Sequence, residues 1–145
     1  MSSWQDISLE NSALPPCHYS MQIVVLPDGY FDLAWNQRSV DVVLGLPYNI
    51  LSYAVFMELV AKRFRLKPHY LYGNLGHTHI YSNHYDAVYE MFARYDEVSA
   101  SIDDSFKTAS ERIAIDGIKE LWEYQPSDIM LVDYDPMPKL SNATP

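Results

Sequence analysis

Four short clusters in this chain carry side chains that can do chemistry. The first is Pro15-Pro16-Cys17-His18. A cysteine becomes a nucleophile when nearby cationic or donor groups favour its thiolate. On a strand His18 would leave the opposite face from Cys17, and a buried structural cysteine fits the same text. The second cluster is Gln37-Arg38-Ser39-x-Asp41. An arginine fork beside a hydroxyl receives a phosphate or another oxyanion, and it equally makes a surface ion pair. The third is Gly45-Leu46-Pro47-Tyr48-Asn49. Asn49 either starts a helix or offers a ligand both a donor and an acceptor. In the fourth, Gly76 to His84, strand alternation puts His77, His79 and Tyr81 on one face. His77, His79 and His84 could share a cation. No acidic ligand follows in a tight pattern, so polar contacts or ligand donors are the better reading and no metal is expected.

These residues need a scaffold, and the apolar spacing supplies one. Residues 18–26 are β-rich and end at the turn Pro27-Asp28-Gly29. Residues 30–38 then alternate, with Phe31, Leu33 and Trp35 on one face, which predicts a hairpin with a three-residue loop. From Leu46 a dense apolar run predicts a buried helix ending near Arg65, before Pro68. Residues 69–81 return to strand, and Ser82 is expected to cap a helix to about Arg94, with Asp86 in its first turn. The acidic, serine-rich stretch 95–107 reads as a loop or insertion. Thr108-x-x-Glu111 is a capping box that predicts a helix to about Tyr124, with Gly117 a weak spot inside it. Residues 128–134 predict a last strand. The order β-β-α-β-α-α-β implies an α/β fold of α+β type, a mixed sheet layered with helices.

Composition narrows the function. The 145 residues carry a formal charge of −9, which argues against a general nucleic-acid binder. At 48% hydrophobic and 20% charged, the chain is expected to be one globular domain, 1–145. A single cysteine cannot form an internal disulfide, so a reducing, cytoplasmic setting is expected. The start of the chain does not read as a signal peptide, and the longest uncharged stretch, Val42 to Met57, is too short for a bilayer.

Taken in order, the clusters resemble the thymidylate synthase family. The matching text is Leu14-Pro-Pro-Cys-His18, Gln37-Arg-Ser-x-Asp41, Leu44-Gly-Leu-Pro-Tyr-Asn49 with Ser52-Tyr-Ala54, His79-Ile-Tyr-Ser-Asn-His84 and Asp133-Tyr-Asp-Pro-x-Pro138. Ser3-Trp4, ahead of the cysteine, is similar to the family's approach to its nucleophile. The likeness is weakest over 95–127. It implies a partial thymidylate synthase fold, including the buried helix after the Gly-Leu-Pro-Tyr-Asn motif. It also implies one-carbon transfer from 5,10-methylenetetrahydrofolate to dUMP through a cysteine adduct. Carried over motif by motif, Cys17 is the nucleophile, Arg38 and Ser39 hold the phosphate, and Arg38 favours the thiolate. His79 and Tyr81 bind the sugar hydroxyl, Asn49 pairs with the uracil edge, Asp41 orients the folate, and Gln37 ties the sheet near the phosphate.

The resemblance also marks departures. The family's aspartate two residues before the strand histidine is His77 here, and residues 94–98 read Arg-Tyr-Asp-Glu-Val in place of the family's Arg-Glu-Pro-x-Pro. The tail Ser141-Asn-Ala-Thr-Pro145 lacks the family's apolar end. Family enzymes are about twice this length, so the text matches a carboxy-terminal half. The implied partners are dUMP, a reduced folate and the missing amino-terminal half, within a homodimer of the complete enzyme; neither nucleic acid nor membrane is expected. Two alternatives stand beside this reading: a dUMP or dCMP hydroxymethylase of the same family, and a truncated remnant without catalysis.

Overall fold

The computed structural model describes residues 13–99 and 112–140. Its first element is set by the turn at Gly29, whose φ of +82° is left-handed and open to a residue without a Cβ. Across that turn the Leu26 N–H donates to the Tyr30 carbonyl at 2.8 Å, closing the three-residue loop expected. Strands β1 (His18–Val25) and β2 (Tyr30–Asp41) pair antiparallel on either side of it. Alternation along β2 buries Phe31, Leu33, Trp35 and Gln37 on one face. The other face carries a polar ladder, in which Asn74 Nδ2 donates to Asn36 Oδ1 (3.0 Å) and Asn36 Nδ2 to Ser20 Oγ (2.9 Å).

Helix α1 (Gly45–Phe64) follows and ends where Arg65 turns left-handed at φ 56°. The chain then returns as β3 (Lys67–His79), parallel to β2, so the sheet order is β1-β2-β3. A parallel pair needs such a crossover, and the helix is laid against the sheet by it. Phe31 and Leu33 from the sheet pack against Met57, Val60 and Ala61 from α1, with Tyr53, Phe56, Leu66, Leu71 and Leu121 around them. Beyond β3 a single 3-10 turn (Ser82–His84) leads into helix α2 (Tyr85–Ser99). A small hairpin of β4 (Ile113–Ile115) and β5 (Ile129–Leu131) completes the described residues. Lys62 donates to the Ile115 carbonyl and Arg63 pairs with Glu120, which ties this hairpin to the end of α1.

Several expectations need correction. The segment to Tyr124 is not a helix: Ile113–Ile115 is a strand, and Gly117 takes φ +65°, outside helical space. The proposed capping residues Thr108 and Glu111 lie outside the described residues, as do Ser3-Trp4 and the tail from Ser141. Within the stretch expected to be a loop, Tyr95–Ser99 continues α2, and 100–107 lies outside the described residues. Ser82 is the first residue of the 3-10 turn rather than its cap, a position held by Tyr81. Helix α1 is buried along one stripe only, Ala54, Met57, Val60 and Ala61. Its remaining apolar residues are half-buried or exposed, because the sheet covers one side of a helix that is apolar nearly all round.

One close approach holds the layer together. A Cβ built on Gly73 would lie 2.5 Å from two carbons of the Trp35 indole. That indole stacks on Tyr53 of α1, with centroids 4.8 Å apart and planes 16° from parallel. Gly73→Ala must push the ring off Tyr53 and is expected to lower stability in urea by about 1–3 kcal/mol. An unchanged urea midpoint would show that the indole has room to spare.

Candidate active site

The site is built around a buried amide. Gln37 is 3% exposed and uses both ends of its side chain. Its Oε1 accepts from the Trp35 indole N–H at 3.2 Å, and its Nε2 donates to the Ser39 carbonyl at 3.0 Å and to Asn49 Oδ1 at 2.9 Å. Asn49 lies in the first turn of α1, so Gln37 bonds strand and helix directly. One lone pair of Asn49 Oδ1 is thereby engaged, while its Nδ2 donors stay available to a ligand.

Asp41, at the end of β2, shapes the entrance to the same helix. Its carboxylate accepts the backbone N–H groups of Val43 (3.0 Å) and Leu44 (3.4 Å). The cap residue Leu44 has no side-chain acceptor of its own. A carboxylate beside a helix start is also favoured by the helix dipole. Gly45 lies between Asp41 and Asn49, where a Cβ would meet Asp41 Cβ at 3.5 Å and Asn49 Oδ1 at 3.9 Å, ordinary contact distances. Asp41 then opens onto a cavity of about 550 Å³ shared with Leu44, Gly45, Tyr81, Asn83 and His84. His84 is buried behind it, its Nδ1 3.9 Å from Asp41 Oδ1.

Cys17 sits just before β1, half-buried and with a free thiol. Its carbonyl accepts the Arg38 N–H at 2.9 Å, which places it one rung of the ladder from Gln37 and Ser39. The Arg38 guanidinium donates to the Pro15 carbonyl through Nε (3.2 Å) and a terminal nitrogen (2.6 Å). Alternation sends Ser39 to the face of Gln37 and Asp41, and Arg38 to the opposite face. There Arg38 lines a second cavity of about 750 Å³ with Tyr19, Asn74 and Gly76. The structure thus gathers Gln37, Ser39, Asp41 and Asn49 on one face and sets the Arg38 guanidinium on the other.

The expected histidine face is present. His77 and His79 rings lie 5.0 Å apart, and Tyr81 meets His79 edge-on at 5.0 Å. Tyr81 is past the end of β3 but keeps an extended backbone (φ −69°, ψ 145°), which preserves the alternation. Parallel register puts His77 beside Ser39 and His79 beside Asp41. Among the described residues no three His, Cys, Asp or Glu side chains converge as a metal would need. None of the described helices is long and apolar enough to cross a membrane.

A mixed sheet with a free thiol at one ladder end and a polar face beneath a helix start defines an α/β protein. The thymidylate synthase family profile matches residues 1–144. The chain is 51% identical over 94 residues to the "Probable thymidylate synthase" of Escherichia phage T5, covering 65% of this chain and 34% of that protein. It is 39% identical over 139 residues to the thymidylate synthase of Enterobacteria phage T4, covering 92% of this chain and 47% of that protein. It is 34% identical over 140 residues to that of Mycoplasma pneumoniae, covering 97% of this chain and 45% of that protein. This chain belongs to the thymidylate synthase family, a family of methyltransferases that use methylenetetrahydrofolate. It spans less than half the length of these curated relatives.

Reading the sequence missed Tyr53 as a partner for His18. One lies on β1 and the other on α1, and contact between residues 35 apart has no local signal. His18 Nδ1 is 3.1 Å from the Tyr53 hydroxyl. Burial holds the His18 imidazole below its ordinary value of 6.5 and pushes the Tyr53 hydroxyl up. A histidine whose folded value is depressed contributes stability above the unfolded value, and that contribution is lost as pH falls through the folded one. Acidifying from neutral pH is therefore expected to lower the thermal midpoint more in the parent than in His18→Gln. Parallel decline of the two midpoints would contradict it.

Proposed function

We propose that this chain is the nucleophile-bearing part of an enzyme that converts dUMP to dTMP, using a one-carbon unit from 5,10-methylenetetrahydrofolate. It works when the amino-terminal part carried by its relatives is supplied, in a homodimer of the complete enzyme. The observation that supports this reading most directly is the anchoring of Asn49 by Gln37, one ladder rung from Cys17.

The Cys17 thiolate adds to carbon 6 of the uracil ring, and the displaced electron pair moves through carbon 5 toward the oxygen at carbon 4. The resulting enolate makes carbon 5 a nucleophile. Asn49 donates its Nδ2 hydrogens to that oxygen as negative charge grows there, and its remaining Oδ1 lone pair accepts the ring N–H. Because Gln37 fixes the amide beforehand, little reorganisation is needed when the charge forms. Ser39, with Arg38 reaching from its bond to Pro15, takes the phosphate, and His79 with Tyr81 takes the sugar hydroxyl. The reduced folate would supply the one-carbon unit and the hydride that completes the methyl group, leaving as dihydrofolate, while carbon 5 gives up its proton and the Cys17 thiolate is expelled from carbon 6. The cavity beside Asp41, walled by Leu44, Gly45 and Tyr81, supports placing the folate ring there, with the remaining lone pairs of the Asp41 carboxylate accepting from its donor edge.

Mixing the chain with an amino-terminal part from a relative is expected to restore dUMP-dependent dTMP formation that the chain lacks by itself. Robust turnover by the chain with no second polypeptide would contradict the proposal. In the mixture, Cys17→Ser should cut turnover by at least roughly a thousandfold while the complex still assembles. A serine form running near the parental rate would remove Cys17 from the mechanism. Asn49→Asp should weaken dUMP relative to dCMP by about ten- to a hundredfold, because a carboxylate cannot donate to the carbonyl. Unchanged preference between the two nucleotides would remove Asn49 from the base pocket.

A further inference from the structure

His77 has no part in the reaction above, yet it stands between two of its substrate contacts. It is in register with Ser39 across β2 and β3, and its ring stacks on His79 with planes 30° apart. The His79 Nδ1 lies 3.3 Å from the His77 carbonyl. A carbonyl can only accept, so that contact calls for a hydrogen on His79 Nδ1 and turns Nε2 toward a ligand. The His79 ring is thereby held by its neighbour's backbone, while the exposed His77 ring is hydrogen-bonded to nothing among the described residues.

Spacing decides which part of a ligand reaches it. Two residues along a strand span about 6.6 Å, roughly the reach of a nucleoside sugar from hydroxyl to phosphate. A ligand whose sugar hydroxyl rests on His79 carries its phosphate to one neighbour or the other along the ladder. Tyr81 has a neutral phenol on a turn, whereas His77 has an imidazole beside the Ser39 hydroxyl. Among the described residues the titratable groups on the elements beside His77 are Cys17 before β1, Asp41 and Arg38 on β2, His79 on its own strand, and Tyr81 and His84 after it. Asp41 is engaged by the Val43 and Leu44 N–H groups, and Arg38 by Pro15. The imidazole beside Ser39 can therefore add positive charge to that which Arg38 brings to the phosphate.

We infer that His77 is a specificity-determining contact of the nucleotide site, an imidazolium that pairs with the 5′-phosphate beside Ser39 and takes up a proton as the nucleotide binds. The inference rests on reading this face as the nucleotide site. A phosphate dianion alongside favours the charged imidazole, so affinity for the nucleotide rises as pH falls toward the imidazole range.

The test uses the full chain with ¹⁵N-labelled histidine, titrated with dUMP and separately with deoxyuridine. With dUMP the His77 ring nitrogens are expected to move to the charged pattern, and with deoxyuridine they should stay. His77→Gln should weaken dUMP roughly three- to tenfold near neutral pH and leave deoxyuridine unchanged. It should also flatten the rise in dUMP affinity between about pH 7.5 and 6.5. Parental dUMP affinity and pH slope in His77→Gln would overturn the inference and leave the nucleotide site standing. Equal weakening of dUMP and deoxyuridine would also overturn it, by showing that His77 acts only through the His79 ring. If neither molecule perturbs Asn49 or His79, the reading of the site fails and the inference falls with it.

Discussion

The arrangement of this molecule depends on one buried side-chain amide. Gln37 is the point where the sheet's inward face stops being apolar, after Phe31, Leu33 and Trp35. Buried polar atoms without partners cost about 1–3 kcal/mol each, so an amide at this position is tolerated only with its donors and acceptor engaged. The partners it finds are Trp35 below it, Ser39 above it and Asn49 across the gap to α1. Satisfying Gln37 therefore sets the distance between β2 and the start of α1. It also turns Asn49 so that its donors face outward. Core packing and site geometry are joined in the same three bonds.

The rest of the site follows from strand geometry. Because β3 runs parallel to β2, His77 and His79 fall beside Ser39 and Asp41 rather than across from them in reverse order. Glycine at 73 admits the Trp35 ring, and glycine at 76 admits the Arg38 backbone, whose carbonyl a Cβ would meet at 2.5 Å. These two positions let β3 lie close enough for its histidines to share a face with β2. The half-covered apolar faces of α1 belong to the same picture. The chain spans less than half of its relatives' length, and a helix apolar on several sides has more surface than one three-stranded sheet can cover.

Legibility from sequence tracked the range of the interactions. The hairpin around Gly29, the long helix and the histidine strand were readable because turn chemistry and periodicity are local. The face shared by His77, His79 and Tyr81 was readable for the same reason. Residues 112–124 read as helix because a capping-box pattern precedes them, whereas the left-handed φ of Gly117 has no signature in the sequence beyond the glycine itself. Pairing of β4 with β5 is decided by contacts between distant segments, which no local pattern announces. Within the site, the motifs named Gln37, Asp41 and Asn49 without revealing that the first bonds the last. Strand alternation announces that Arg38 and Ser39 leave opposite faces, but not that the Arg38 guanidinium turns back to the Pro15 carbonyl.

The account stands most directly on the side-chain amides of Gln37 and Asn49. Their N–H signals can be followed in the ¹⁵N-labelled chain, joined to an amino-terminal part from a relative, as dUMP or dCMP is added. If Gln37 sets Asn49 to read a uracil edge, dUMP should move both amide signals together and dCMP should move neither comparably. The β4–β5 hairpin, remote from this face, should stay unchanged. An Asn49 signal that ignores dUMP, or that answers dCMP equally while Gln37 stays still, would contradict the account.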